Sequence, residues 1–229
     1  MLLADSLTGQ HADATGTDVV IEVRNLSLQF GRQPLFSRMT FSVQAGQRVL
    51  IRGASGSGKS TLLSCLLGFV APRAGQIQVQ GERLTPRSVW SIRRQLGYLA
   101  QEPDLGRGTV AEALEAPFRF SANREGVVEG GRIESLFGRF LLDTDLFTHD
   151  VHHLSAGQKQ RVALIGAILL HRSIYLLDEP TSALDEPSRQ AVVDFFRESD
   201  ATLLWISHDP RHLCQPDQVV TVTPGEDHA

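Results

Sequence analysis

The chain has 229 residues, of which 41% are hydrophobic and 21% charged, with a formal net charge of −4. That is chain enough for one large domain, or for a domain with an inserted lobe. The basic residues are dispersed, which excludes a nucleic-acid footprint; no apolar run is long enough to span a bilayer, and residues 1–18 lack the basic and apolar regions of a signal peptide.

Residues 1–18 are rich in Asp, Thr, Gly and Ala and are expected to form a flexible tail. Short alternating runs at 19–23, 27–30, 39–43 and 49–52 predict strands, with an antiparallel β-layer beside the main sheet. The last of these runs leads into Gly53-Ala54-Ser55-Gly56-Ser57-Gly58-Lys59-Ser60-Thr61 and then an apolar helix. A glycine-rich loop between a strand and a helix turns successive backbone amides toward one point, where the positive end of the helix also points. Such a loop holds a nucleotide's phosphates. Lys59 reaches the β/γ-phosphates and the Ser60 hydroxyl is offered to Mg²⁺. Of 22 basic side chains only Lys59 and Lys159 are lysines, so this chain places a slim point charge where a planar guanidinium would not fit.

Residues 76–81 and 96–100 predict further strands, and from Glu102 to about Leu154 the pattern becomes helical and broken by glycines, as expected of an inserted lobe. Beyond it helices alternate with apolar strands at 173–178 and 201–207, with a last strand near 218–222. Apolar strands between helices mean a parallel sheet covered on both faces. The strand 173–178 ends in Asp178-Glu179, which puts two carboxylates at the same sheet edge as the phosphate loop. Successive strand side chains point to opposite faces, so the two acids take different jobs: Asp178 suits Mg²⁺ and Glu179 an attacking water. Cys65 and Cys214 have no metal-ligand or disulfide spacing and are expected as buried, reduced thiols of a cytosolic protein.

Leu154-Ser155-Ala156-Gly157-Gln158, just ahead of a helix, resembles the signature motif of ABC-type ATPases. Gln101 resembles that family's Q-loop glutamine, Ser182 to Asp185 its D-loop, and Ser207-His208-Asp209 its switch-histidine motif, while Phe30 stands where the family stacks an aromatic ring on adenine. The resemblance runs from Val19 to the end of the chain. It implies an α/β P-loop NTPase fold: a parallel core sheet (about 19–101 and 157–229), an antiparallel β-layer and an inserted helical lobe (about 102–156). It implies an ATPase using ATP and Mg²⁺, with Glu179, His208 and Gln101 catalytic and Ser60, Gln101 and Asp178 around the metal. Ser155, Ala156, Gly157 and Gln158 would close over the ATP of a second subunit in a head-to-tail homodimer, with Asp185 in the D-loop. Ala156 stands where the family most often has Gly; its methyl is tolerated if the position is helical and damaging if it is left-handed.

Three functions compete: the ATP-binding subunit of a membrane transporter, a soluble ABC ATPase in cluster assembly or repair, and a regulatory module without turnover. The tail from Leu203 to Val222 is similar to small bacterial ATP-binding proteins of iron or metal export. The expectation is therefore a cytoplasmic subunit, peripheral on the inner face of the membrane through a separate permease. The segment after Gln101 and the helical lobe would form the groove for a short helix of that permease.

Overall fold

The computed structural model describes residues 18–31, 33–120, 123, 131–208 and 213–223. Most of the expected tail and Asp209 lie outside them, as does the side chain of Phe30. Where the sequence predicts broken strands near its start, the chain forms two long ones, β1 (Val19–Phe30) and β2 (Gln33–Gln44), paired antiparallel. Their register shifts around Asn25 and Arg38, both at φ 49°. The amides freed there do not go unpaired: Asn25 N donates to the Thr40 hydroxyl (2.9 Å) and Arg38 N to the Ser27 hydroxyl (2.8 Å). Side chains replace lost ladder partners, so the alternation breaks while the strand continues. With β4 (Ala74–Val79) and β5 (Glu82–Arg83) they make a sheet of order β2-β1-β4-β5.

The second sheet is parallel, in the order β6-β7-β8-β3-β9: β3 is Arg48–Arg52, β6 Leu96–Leu99, β7 Ile174–Asp178, β8 Thr202–Ile206 and β9 Gln218–Thr221. Its strands alternate between two cores. Val49, Ile51, Ile174, Leu176, Leu204 and Ile206 join the core shared with the antiparallel sheet and helix α1 (Lys59–Leu66). Leu50, Tyr175, Leu177, Leu203 and Trp205 join the opposite core. Both faces of the central strands β7, β8 and most of β3 are buried, which is why these segments read as unbroken apolar runs.

The opposite core also contains the helical segment. Thr109 caps α3 (Val110–Glu115) through a capping box with Glu112, and Leu136 and Phe137 come from α4 (Arg132–Arg139). Both helices pack on the long helix α5 (Ala156–Leu169), whose Val162, Ile165 and Ile168 lie in the same cluster as Trp205. The lobe is therefore seated on the sheet through α5. Helix α6 (Glu186–Glu198) adds Val192 and Phe196 to that core. The short α2 (Val89–Arg93) has one buried residue, Ile92, and so carries no amphipathic pattern that the sequence could reveal.

Candidate functional site

Strand β3 delivers the chain to the sheet edge, and loop 53–58 then turns it into α1. Gly56 and Gly58 sit at φ 75° and 101°, where a side chain would strain the backbone. Gly53 is required for a different reason: a Cβ there would lie 2.4 Å from the Val222 carbonyl oxygen. No side chain caps α1, so its first amides remain available to an anion. Lys59, 7% exposed, donates from Nζ to the Gly53 and Ala54 carbonyls at 3.1 and 3.0 Å. The ammonium is thus already folded over the loop. The Ser57 side chain is fully buried, and its Oγ has no hydrogen-bond partner.

At the end of β7, Asp178 is buried beside Ser60 and Lys59. Burial raises its pKa, while the Ser60 hydroxyl and the Lys59 charge pull it back down. Its Oδ1 is buried without a hydrogen-bond partner. Oxygen donors of this kind, a carboxylate and a hydroxyl, fit Mg²⁺. Gln101, just past β6, is exposed and is not hydrogen-bonded to either residue.

Glu179 follows in the left-handed region, at φ 48°. Its pKa is also raised, chiefly by burial; His208 and Lys59 oppose the shift and Asp178 adds to it. The His208 Nε2 lies 3.6 Å from Glu179 Oε1, and its ring is 66% exposed. Parallel pairing of β7 and β8 brings these two together, with Asp178 in register with Ile206. The site therefore offers a carboxylate kept basic by burial, next to a histidine open to whatever occupies the loop.

Ser155 is the N-cap of α5: its hydroxyl accepts from Gln158 N at 3.2 Å, and Gln158 Oε1 accepts from Ser155 N at 2.9 Å. Ala156 opens the helix in right-handed geometry, so its methyl group takes the tolerated alternative. Gly157 approaches the turn after β7 so closely that a Cβ would stand 2.8 Å from the Ala183 carbonyl oxygen. Asp185 caps α6 by accepting from Ser188 N at 3.2 Å, and its pKa is lowered chiefly by the Ser188 hydroxyl and, to a lesser degree, by that backbone bond. Among the described residues no hydrogen bond or ion pair joins 155–158 to the phosphate loop.

Two side chains in this region were not singled out by the sequence. Gln160 is buried between α5 and the turn 179–183, and Arg161 donates to the Phe140, Leu141 and Gly157 carbonyls, tying α5 to the lobe. Their signal was present in the run Gln158-Lys159-Gln160-Arg161, but a polar run at a helix start reads as solvated surface. A cavity of about 720 Å³ opens between β6, the segment after Gln101 and the lobe, lined by Tyr98, Leu105, Ala113, Phe120, Val162 and Gly166 among others. The two cysteines are free and buried, with their thiols pushed up to about 11.

The model of the family described as "ABC transporter" matches residues 36–182. The probable iron export ATP-binding protein FetA of Escherichia coli is 32% identical over 209 residues, covering 90% of this chain and 92% of that protein. The energy-coupling factor transporter ATP-binding protein EcfA1 of Lactiplantibacillus plantarum is 35% identical over 218 residues, covering 90% of this chain and 76% of its own. A solved structure described as the ATP binding subunit of an ABC transporter superposes with a TM-score of 0.77 at 28% identity, covering 90% of this chain and 89% of that one. Among the described residues no helix is long and apolar enough to cross a membrane.

Proposed function

This chain belongs to the ABC transporter family and is an ATPase, and from that premise we propose that it powers a transporter whose membrane-spanning part is a separate permease. The observation that carries the reading is the largely apolar cavity of about 720 Å³ beside Gln101, lined from both the sheet and the lobe, which in this reading receives a short helix of the permease. In this proposal the catalytic core comprises about 19–101 and 157–229 and the lobe about 102–156. Similarity to an iron export protein supports iron or another metal as cargo; similarity to an energy-coupling factor subunit supports a transporter of some other cargo. Among the described residues there is no group of three or more His, Cys, Asp or Glu side chains able to hold a metal ion, so in this reading the permease selects the cargo.

The phosphates of ATP lie in loop 53–61, where Lys59 exchanges its bonds to the Gly53 and Ala54 carbonyls for β/γ-oxygens. Ser60, Asp178 and Gln101 would hold Mg²⁺, which supplies charge neutralisation at the phosphate oxygens. Glu179, kept basic by burial, accepts the proton of the attacking water, and His208 hydrogen-bonds the γ-phosphate. In this reading Phe30, whose side chain lies outside the described residues, would stack on adenine. Ser155, Ala156, Gly157 and Gln158 close over the ATP of a second copy in a head-to-tail dimer, with Asp185 beside them.

The test is recovery of the tagged full chain from detergent-solubilised membranes. A multi-span membrane protein should co-purify, and Ala113→Arg, which fills the groove, should release it while ATP hydrolysis by the isolated chain persists. Recovery without any membrane protein, or undiminished recovery with Ala113→Arg, would refute the transporter reading.

A further inference from the structure

The Glu179 carboxylate is sparsely held at its own end: Oε1 has no hydrogen-bond partner, the nearest imidazole nitrogen is 3.6 Å away, and the backbone of His208 is the main-chain group that meets the carboxylate. Where the carboxylate points therefore depends on the conformation of its own backbone. That backbone is in the left-handed region at φ 48°, which is strained for a residue with a Cβ and persists only where neighbouring bonds impose it. Those bonds can be identified. Glu179 N donates to Ile206 O at 3.1 Å, and Glu179 O accepts from Ser182 N at 3.2 Å and Ser182 Oγ at 3.1 Å. The shortest of them comes from another element: Gln160 Nε2 donates to Glu179 O at 2.7 Å.

Gln160 is 1% exposed, and both ends of its amide are engaged, since Oε1 accepts from Ala183 N at 3.2 Å. A buried amide satisfied at both ends fixes the two groups it joins. It lies two residues past Gln158 and about one helical turn past Ala156, on the same helix. Gly157 adds a second close approach between that helix and the same turn, at Ala183. Arg161, the next residue, ties α5 to the lobe carbonyls Phe140 and Leu141.

We infer that Gln160 is a positioning residue: it imposes the backbone geometry of Glu179 and makes the aim of that carboxylate depend on where the signature helix sits. The inference rests on the reading of Glu179 as the base. Movement of α5, by engagement of a second copy or by force on the lobe, reaches the carbonyl of the base directly through this amide. Displacing a reacting group by even an ångström costs on the order of a hundredfold in rate, so a single braced carbonyl is sufficient for gating.

The experiment is a double-mutant cycle on single-turnover and steady-state ATP hydrolysis by the full chain. Gln160→Met conserves volume and removes both bonds. It should lower the rate at saturating ATP roughly ten- to a hundredfold while leaving the KM for ATP within about twofold. In the Glu179→Gln background the same change should cost less than about twofold, because the target is gone. Ser182→Ala, at an exposed side chain donating to the same carbonyl, should give a smaller loss, about threefold, with the same non-additivity. Wild-type turnover in Gln160→Met, or equal losses in both backgrounds, would overturn the inference while leaving the base intact. Should Gln160→Met fail to unfold cooperatively, Ser182→Ala alone decides, and additive loss there overturns it. Wild-type turnover in Glu179→Gln by itself would instead strike the base assignment, and the positioning role with it.

Discussion

Residues 53–60 and 155–158 both present the start of a helix, yet α1 begins without a side-chain cap, on a loop whose Ser57 and Lys59 are buried, while α5 begins with an exposed Ser155 inside a capping box. Lys59 is already bonded to carbonyls of its own loop, and two carboxylates with raised pKa values stand beside it. Residues 155–158 themselves carry no charge, and among the described residues no bond joins them to the phosphate loop. The first region gathers its buried charges from its own chain; the second is capped by its own side chains and exposed at Ser155. In the proposed reading, such a pre-organised, exposed helix start is what a composite site needs from each copy.

The comparison breaks most visibly at the buried end. Glu179→Gln keeps the shape and removes the base, so hydrolysis should fall by roughly two to four orders of magnitude while ATP still binds. Retained turnover in a rapid-quench assay would remove Glu179 from the chemistry. Lys59→Ala takes away the cation of the loop and should weaken ATP binding by about 2 kcal/mol, roughly thirtyfold, by calorimetry. Unchanged affinity would place the phosphates elsewhere.

A smaller effect sharpens the claim that the first region stores the cost of burying charge. The pKa of Asp178 is raised in the folded chain, so between its ordinary value and the raised one the native state binds more protons than the unfolded chain. Stability therefore falls as pH rises through that window, and above it the full cost is borne. Asp178→Asn should raise the thermal midpoint of the nucleotide-free protein by a few degrees at pH 7, with the gain vanishing below about pH 4, where both carboxyl states are protonated. A midpoint lowered at pH 7 would show that the ionised carboxylate is net stabilising.

How much of this was legible in the sequence follows the same division. The strands feeding the phosphate loop and the carboxylates are apolar on both faces, and their order along the chain set the parallel sheet and the edge shared by Lys59, Asp178 and Glu179. The long β1 and β2 were not legible, because hydroxyls of Thr40 and Ser27 replace backbone partners at Asn25 and Arg38 and interrupt the alternation. Gln160 was not legible for a related reason. Its partners are main-chain groups at 179 and 183, which no residue pattern announces. Phe30 and Asp209 stay expectations, the one with its side chain and the other altogether outside the described residues.

The central claim is that the exposed start of α5 serves the nucleotide of a second copy. Light scattering in ATP on the Glu179→Gln protein, with and without Ser155→Arg, tests it most directly. The bulk and charge of Arg fall on a surface used only between copies, so Glu179→Gln alone should dimerise with ATP, and the double variant should stay monomeric while still binding ATP. Equal dimer fractions in the two proteins would contradict the account.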